Sequence, residues 1–533
     1  MNFPNSLWRA PVFVAIACFP IGAAFGNGGG PSAGTHASPS AHFLSRQQGT
    51  REDLSAQESA ARKALQGAPN SPEALARLGS ILAAQGKLEE AAKYFERAVK
   101  LNPKDDASRR SLATSYWQLG QPQKARANLE TVLRHNPGDA WATLLLGLVS
   151  EDLGDPEEAA KRLSSVLPLV HQRAEPVIAL ARAYYQLKLR DKARDTLGFL
   201  PSSPLGPQAV FQGAHVAVEF RDYETAEGLF ATIRDTYPDA AELNYNLALA
   251  QYSAKHYEQS QKTLLDLIGG GQAKPDAYTL LGWTYQKQDR QEEMVRAFEK
   301  AINMDPAEQR RYLELGEALL EKKNDQTALE VAKETVKRFP LSAQAYRLKG
   351  AAELRMSRLS EAQQSYSKAV ELDPNDSRPA LGLALTLWNA SRTDEAGKAF
   401  AEGVRKFPKD ALFQLKYAIF LLNSSEERTA EQNALIKTLL KRSEELDDSI
   451  AETHFDLGNI ALKENNYDEA LKEFRAASEL DPEMSKVHFA LARLYRRLGR
   501  EELAAQETAI HRTLKEKEDQ ESDPNAPKGT RHP

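Results

Sequence analysis

The stretch ARLGSILAAQGKLEEAAKYFERAVKLNP, which runs from Ala76 to Pro103, carries the pattern that decides the fold. Its small residue Gly79 is followed twelve residues later by Ala91 and sixteen residues later by Phe95. Apolar residues recur around them at i, i+3, i+4 and i+7, which is the spacing of an amphipathic helix. We therefore predict two helices that approach closely at their small residues, with a large residue filling the space that remains between neighbours.

The same pattern returns along most of the chain. Counted from Gly79, the small landmark residue occurs thirteen times, and ten of the twelve intervals are 34 residues long, the other two being 33 and 40. A fixed period of this size indicates stacked helical units, none of which can bury its apolar face alone. Proline closes many of the units because it cannot continue a helix interior. The landmarks are Gly79, Ala113, Gly147, Ala181, Ala214, Ala248, Gly282, Gly316, Gly350, Ala384, Ala418, Gly458 and Ala492.

These features resemble the tetratricopeptide repeat family, whose order of large, Leu, Gly/Ala, Tyr, Ala, Phe, Ala and Pro residues the units follow. The resemblance covers about Pro72 to Lys517 and comprises about thirteen units of 34 residues. It implies an all-α fold, a right-handed α-α superhelix or solenoid. In this family the first helix of each unit lines a concave groove.

The repeat frame also predicts how the chain is divided. We expect a capping helix at 51–71, units 1–4 at 72–206, units 5–10 at 207–410, and units 11–13 with a C-terminal capping helix at 411–517. Three segments depart from the pattern, 201–207, 269–275 and 423–432. They are interpreted either as joints of the superhelix or as plain variation in loop length.

Residues 1–26 have the outline of a secretory signal peptide. One cation, Arg9, precedes the apolar stretch APVFVAIACFPIGAAFG, which ends in small residues. Two alternatives stay open, namely an uncleaved membrane anchor and lipidation of Cys18, the only cysteine. Segment 27–50 is predicted to be a disordered Gly/Ser/Pro linker, and 518–533 a disordered charged tail. These features predict a periplasmic or secreted protein, or one anchored in the inner membrane with its repeats outside the cytoplasm.

The repeat frame places large aromatic residues in the predicted groove, at positions six and three before each landmark and one, four and five after it. Aromatic side chains in a solvent-facing concavity supply the apolar area typical of binding hot spots. The sequence thus predicts a site for a peptide or helix of a partner protein, and packing of these side chains on adjacent units is the alternative. The predicted groove residues are Trp117, Trp141, Tyr185, Phe211, Tyr245, Tyr252, Trp283 and Trp388, joined by Phe455, Phe489 and aliphatic residues that include Leu385 and Ile419.

Two basic sets accompany the aromatic residues. The first is predicted to bind a carboxylate or phosphate, with pairing to Glu317 and Glu321 as the alternative. The second, near the end of the repeats, is interpreted as a solvated face. The lysine and asparagine pair by which the family binds chaperone tails is not found, since Asn459 has Phe455 at the position of the lysine. The first set is Arg310, Arg347, Arg355 and Arg378, and the second is Lys486, Arg493, Arg496, Arg497 and Arg500.

Composition and motifs argue against several kinds of function. The net charge of −5 gives no overall attraction to nucleic acid, and a single cysteine excludes both a disulfide framework and a cysteine metal site. His454 and His488 occupy equivalent positions in consecutive units, but without a set of further ligands they are weak as a metal site. We therefore predict no catalytic residue, no cofactor, no metal and no nucleic-acid partner.

The sequence as a whole predicts a non-enzymatic scaffold of the bacterial cell envelope that binds a peptide or helix of a partner protein in an aromatic groove. The alternative is a soluble periplasmic subunit of a polysaccharide-export or secretion complex. A third hypothesis, an enzyme such as the glycosyltransferases that carry similar repeats, finds no segment long enough for a catalytic domain. Membrane contact is predicted only if the N-terminal segment is uncleaved or lipidated, and the oligomeric state stays open.

Overall fold

The computed structural model describes residues 39–522 except 203, 425 and 426, and every regular element in that range is an α-helix. The predicted signal peptide, with Cys18, lies outside the described residues, as do 27–38 of the predicted linker and 523–533 of the predicted tail. The all-α fold class with stacked helix pairs, which the sequence predicts, is confirmed. In the described range no helix has both the length and the apolar run needed to cross a membrane.

The helices group into two compact bodies that meet in sequence between Gln272 and Ala273, within the segment 269–275 that departs from the repeat pattern. In the N-terminal body a long helix precedes six helix pairs. Its helices are α1 (Pro39–Gly67), α2 (Pro72–Ala84), α3 (Leu88–Leu101), α4 (Asp106–Gln118), α5 (Pro122–His135), α6 (Ala140–Asp152), α7 (Pro156–Val170), α8 (Ala174–Gln186), α9 (Arg190–Leu197), α10 (Pro207–Glu219), α11 (Tyr223–Thr232), α12 (Ala240–Ser253) and α13 (Tyr257–Gly269).

The C-terminal body consists, in its described part, of seven helix pairs. They are α14 (Pro275–Lys287), α15 (Gln291–Met304), α16 (Gln309–Glu321), α17 (Asp325–Arg338), α18 (Ala343–Arg355), α19 (Leu359–Leu372), α20 (Ser377–Asn389), α21 (Thr393–Lys406), α22 (Ala411–Ser424), α23 (Ala430–Leu446), α24 (Ala451–Lys463), α25 (Tyr467–Leu480), α26 (Ser485–Arg497) and α27 (Glu501–Ser522). Each landmark of the sequence lies on an even-numbered helix, the first of its pair.

Within a pair, the landmark packs directly against the large residue sixteen positions later. A Cβ added to Gly79 would lie 2.9 Å from the Phe95 ring, and one added to Gly458 would lie 2.6 Å from the Phe474 ring. Both phenylalanines are almost completely buried. The small landmark therefore exists because a ring occupies the space that a side chain would need.

One pair solves the same packing problem differently. Ala332 stands sixteen residues after Gly316, where most of the other pairs have a large residue. Leu348, from the next pair, fills the space instead, and its Cδ2 would lie 2.3 Å from a Cβ added to Gly316. The space beside the landmark is thus filled even where the pattern in the sequence is broken.

The turn between the two helices of a pair also repeats. The residue seven positions after each landmark has a positive φ in all twelve pairs where it is described, at Gly86 (78°) and Gly120 (68°) as well as at Lys255 (68°) and Lys323 (59°). This left-handed conformation reverses the chain between the two helices, and glycine adopts it without the strain that other residues carry. Because eight of the twelve residues are not glycine, the turn is set by the packing of the helices rather than by local preference.

The six extra residues of segment 423–432 precede a helix with a strong N-terminal signal. Thr429 forms a capping box with Gln432, in which each side chain bonds the backbone N–H of the other. The helix that follows, α23, has 17 residues, whereas α21 and α25 have 14. The insertion is therefore accommodated by a connection that ends in a well-defined helix start.

The first helices of neighbouring pairs contact one another from α2 to α10 and from α14 to α22, whereas the second helices of neighbouring pairs do not approach to the same extent in the described residues. A second helix packs instead against its own first helix and against the first helix of the next pair. The first helices therefore lie next to one another on the inner side of each stack. We call the surface they form, at the positions given by the repeat frame, the inner face.

The contact between landmark and ring yields a stability prediction. We expect Gly458→Ala to lower the free energy of unfolding by about 1–3 kcal/mol, because its Cβ would overlap a fully buried ring that has no room to move. The control is Gly228→Ala on the exposed surface of α11, where a Cβ meets nothing within 4 Å. Urea unfolding followed by circular dichroism should show the control unchanged or stabilised by up to about 1 kcal/mol. Equal effects of the two substitutions would contradict the packing account.

Candidate partner-binding surface

Three of the aromatic residues predicted to line the groove belong to the core. Tyr185, Phe211 and Tyr252 are only 5%, 6% and 2% exposed. The Tyr185 ring stacks on Phe220 with centroids 5.1 Å apart, and its hydroxyl donates a hydrogen bond of 2.9 Å to Asp222. The expectation that these three side chains offer a binding surface is therefore corrected, because side chains of the stack itself already cover them.

The other aromatic residues of the prediction are partly buried. Trp117 donates its indole N–H to Asp152, and the Arg173 guanidinium lies over the Trp141 ring at 5.4 Å from the centroid. Tyr245 is partly buried on α12, and Trp283 packs edge-on against the buried Phe298 at 5.3 Å. Part of each side chain stays accessible to solvent. The Trp117 indole N–H and the Trp141 ring, however, already interact with Asp152 and Arg173 of the chain itself.

An apolar part of the inner face lies on α20 and α22. Trp388 packs edge-on against the buried rings of Phe400 and Phe420, at centroid distances of 6.3 and 5.6 Å, and is itself only partly buried. Four aliphatic side chains beside it also pack on the core while keeping accessible surface. We call these five residues the apolar patch: Leu381, Leu385, Trp388, Ile419 and Leu422.

A row of ion pairs connects the apolar patch to the last two first helices. Lys416 on α22 lies 2.7 Å from the Glu452 carboxylate on α24, and Lys486 on α26 lies 3.6 Å from the same carboxylate. Burial alone raises the pKa of Glu452, but the hydrogen bond from Lys416 and the two positive charges outweigh it, so the pKa is lowered. Asp456 has no such pairing, and burial raises its pKa to about 6. This row of side chains thus links α22, α24 and α26.

The four arginines predicted to bind an anion are already paired. Each guanidinium lies close to a carboxylate, so no free set of positive charges remains for a ligand at this place. The structure therefore does not support the predicted anion site at these four arginines. They pair within the chain, as the alternative interpretation expects, and Glu317 is one of their partners. The pairs are Arg310 with Asp276 (3.1 Å), Arg347 with Glu317 (2.6 Å), Arg355 with Asp325 (2.7 Å) and Arg378 with Asp376 (2.8 Å).

The second basic set behaves differently. Phe489 is 48% exposed, and the Arg493 guanidinium lies over its ring at 5.7 Å from the centroid. Arg493, Arg496, Arg497 and Arg500 are exposed. Among the described residues none of these four has a carboxylate within 4.0 Å, and Arg496 donates only to the Thr508 hydroxyl. Together with Lys486 and Phe489, we call them the basic stripe.

His454 and His488 are held by two matching sets of hydrogen bonds rather than stacked on each other. The Nδ1 of His454 lies 2.7 Å from the Glu473 carboxylate, and its Nε2 lies 2.9 Å from the carbonyl of Asp448. His488 repeats both distances, with Glu507 and the carbonyl of Pro482. Because carbonyls and carboxylates only accept, the geometry at His454 fits a ring that carries a proton on both nitrogens.

Ligand atoms of Glu444, His454 and Glu473 lie within 4.8 Å of one another, which raises the question of a metal site. Both nitrogens of His454 are engaged in hydrogen bonds, however, and Nδ1 is as close as 2.7 Å to its carboxylate partner. The hydrogen bond that His454 donates to the Glu473 carboxylate raises the pKa of His454 despite burial, while the hydrogen bonds that Glu473 accepts from His454 and Lys472 outweigh burial and lower the pKa of Glu473. We interpret the group as a buried ion pair.

Two features of the surface were missed at the level of the sequence. Leu381 and Leu422 occupy groove positions of the repeat frame, so the frame itself indicates them once all its positions are read. Lys416 lies outside those positions, and its bond to Glu452 depends on how α22 and α24 pack. No signal in the sequence alone indicates that pairing.

Two family models match parts of the chain, and both are named for tetratricopeptide repeats. Residues 41–176 match the cytochrome c-type biogenesis protein H TPR domain. Residues 240–493 match the cilia and flagella-associated protein 70 C-terminal domain. Together with the helix pairs and their landmarks, these matches support a protein built of tetratricopeptide-type repeats and a role as a protein-interaction scaffold.

Comparison with whole proteins adds little to this conclusion. No curated protein matches the chain. Among solved structures, the chain is similar to yeast Tom70 with 16% identity and a TM-score of 0.38, over 85% of this chain and 98% of that one. It is similar to a chain of the APC/C hetero-tetramer Cut9-Hcn1 with 13% identity and a TM-score of 0.36, over 84% and 95%. Both scores are too low to support a conclusion about this chain.

The buried pair of His454 and Glu473 predicts a pH dependence of local stability. The pKa of His454 is raised above 6.5, so its contribution is complete below that pH and is lost as pH rises through the raised value. The pKa of Glu473 is lowered from 4.5, so its contribution is lost only on acidification. We expect hydrogen exchange of α24 and α25, corrected for the intrinsic rate, to show less protection at pH 8 than at pH 6.

Helices α18 and α19, which contain no histidine, serve as the internal reference for this measurement. The variant His454→Gln should remove most of the difference between the two pH values in α24 and α25, while leaving the reference unchanged. A pH dependence that is the same in wild type and variant would show that His454 is not the group responsible.

Proposed function

We propose that this protein is a non-enzymatic scaffold of the bacterial cell envelope, which binds a segment of a partner protein on its inner face. The apolar patch on α20 and α22 anchors that segment. The observation that carries the proposal is that five large apolar side chains occupy inner-face positions of the two contacting helices α20 and α22, each packed on the core and each keeping part of its surface accessible.

Folding alone does not account for this patch. Ala384 and Phe400 already form the buried core between α20 and α21. Phe413 and Phe420 belong to the same core. Accessible apolar groups that gather in one place on an inner surface are typical of sites that bind another protein. The accessible part of Trp388 provides an aromatic anchor of the kind found at binding hot spots.

The location in the envelope is supported by two observations. The first 26 residues have the outline of a signal peptide, with Arg9 before an apolar stretch. The match of residues 41–176 to a repeat domain of a cytochrome c-type biogenesis protein is consistent with a place outside the cytoplasm.

The anchor is tested with a double variant, Leu385→Glu with Ile419→Glu. Two carboxylates in the apolar patch would have to be buried without partners under a bound apolar segment, so we expect the variant to lose binding by more than tenfold. The matched control is Leu341→Glu, at a residue that is 82% exposed in the connection between α17 and α18. Capture from a native envelope fraction, with quantitative mass spectrometry, compares the three proteins.

A photoreactive phenylalanine placed at residue 385 should cross-link the same partner, and one placed at residue 341 should not. Circular dichroism of each variant checks that the helices are retained. If the double variant captures the same partner as the wild type, or if the cross-link forms equally from both positions, the apolar patch is not the anchor.

A further inference from the structure

We infer that the partner segment is acidic beyond its apolar anchor, and that its carboxylates bind the basic stripe of α26. This inference rests on the proposed binding at the inner face and adds the chemistry of the partner. It rests on a contrast between two sets of arginines. Those on α16, α18 and α20 form ion pairs with carboxylates of the chain, whereas those of the stripe have no carboxylate within 4.0 Å among the described residues.

All residues of the stripe except Arg500, which lies just after α26, occupy one face of that helix. Lys486, Phe489, Arg493 and Arg497 follow each other at spacings of three or four residues along α26, with Arg496 beside them. The opposite face is buried and includes Val487, Leu491 and Tyr495, among others. The side chains of the stripe therefore project together from the stack, and Lys486 joins them to the Glu452 carboxylate and the Phe455 ring of the neighbouring first helix.

The positive charge of the stripe is not explained by the fold. Arg496 and Arg497 lie in the last turn of α26, where the helix dipole favours cations. That effect does not extend to Arg493, one turn earlier, nor does it account for a phenylalanine left half exposed beside it. Like charges three and four residues apart on a helix repel each other, and a bound anion relieves that repulsion.

Arginine and an exposed aromatic ring together fit a particular ligand. Guanidinium groups bind carboxylates through two parallel hydrogen bonds, and an adjacent ring contributes an apolar contact. From Lys486 to Arg497 the helix rises about 17 Å, which an extended peptide covers with about five residues. A short segment with several Asp or Glu side chains and one apolar residue matches both the charge and the length.

The stripe and the apolar patch lie on helices that a row of ion pairs links. The row Lys416, Glu452 and Lys486 leads from α22 across α24 to α26. Neighbouring helices pack about 8–10 Å apart, so two steps correspond to about six residues of extended chain. The charge of Glu452 is balanced by its two lysines, and Asp456 is a nearby carboxylate that an acidic segment has to avoid.

Other anionic partners fit less well. A nucleic acid needs a longer basic track than one helix end, and the chain as a whole carries a net charge of −5. A membrane with acidic headgroups explains the arginines but not the apolar patch two helices away on the inner face. The acidic protein segment accounts for both features, and the other two classes are outcomes of the test below.

The test uses the full chain and three synthetic fluorescent peptides. The first carries one tryptophan and two leucines, six Gly or Ser residues, and four glutamates. The second has lysines in place of the glutamates, and the third lacks the apolar triplet. Binding is measured by fluorescence anisotropy at low and high salt, beside a thymidine oligonucleotide and phosphatidylglycerol vesicles. We expect the first peptide to bind at least about tenfold more tightly than the second, and salt to weaken it, as for several exposed ion pairs.

The stripe is removed by Arg493→Glu, Arg496→Glu and Arg497→Glu together. The matched control is Lys300→Glu, Lys333→Glu and Lys337→Glu, an equal change of charge at exposed positions on the second helices α15 and α17. The stripe variant should lose about tenfold or more in affinity for the first peptide, and the control variant less than twofold.

Equal binding of the glutamate and lysine peptides, or a stripe variant that binds like the wild type, would overturn the inference. So would tighter binding of the oligonucleotide or of the vesicles than of the acidic peptide. The apolar anchor is tested separately, by the affinity of the third peptide and by the affinity of the variant Leu385→Glu with Ile419→Glu for the first peptide. If only that anchor variant lowers affinity, the proposed function stands and the acidic specificity fails, whereas the reverse result rejects the apolar anchor.

Discussion

The contact between a small landmark and a large ring sixteen residues later is the constraint on which the rest of the structure depends. Where Gly282 meets Phe298, an added Cβ would lie 2.7 Å from the ring, so the two helices of the pair have one close arrangement available. Every further property follows from stacking such pairs. The second helices cover the outside of the joints between pairs, and the first helices come together on the inner face.

The inner face is not uniform along the C-terminal body. On α16 and α18 it carries charges that are balanced within the chain, as Arg347 is by Glu317. On α20 and α22 it is apolar, and on α26 it is basic with an exposed ring. A repeat fold permits this succession because each pair is stabilised mainly by its neighbours, so the outer positions of one helix can change without disturbing the next.

The sequence predicts the fold well because the residues that set it are the ones that repeat. Gly79 and Phe95 recur at a fixed distance, and a period of this length has few structural explanations. The surface is harder to predict, since the repeat frame gives the direction of a side chain but not what covers it. Tyr185 occupies a groove position and is still buried, because Phe220 stacks on it and Asp222 accepts its hydrogen bond.

Charges show the same limit of sequence reasoning. Arg378 and Arg493 both occupy groove positions, yet the first is held by the N-cap residue Asp376 and the second has no carboxylate near it in the described residues. That difference depends on which acidic residues the turns and neighbouring helices bring close. The left-handed turn residue is a further example, since at Lys323 nothing local indicates a positive φ and only the packing of the pair imposes it.

Hydroxyl-radical footprinting of the native protein, read residue by residue with mass spectrometry, tests the central claim most directly. The account predicts that Trp388 and Phe489 are oxidised readily, while Phe298, Phe400 and Phe474 are protected until the protein unfolds. Protection of Trp388 and Phe489 equal to that of the three phenylalanines, in protein free of any partner, would contradict it. The first helices would then be covered by the chain itself and would offer no surface for binding.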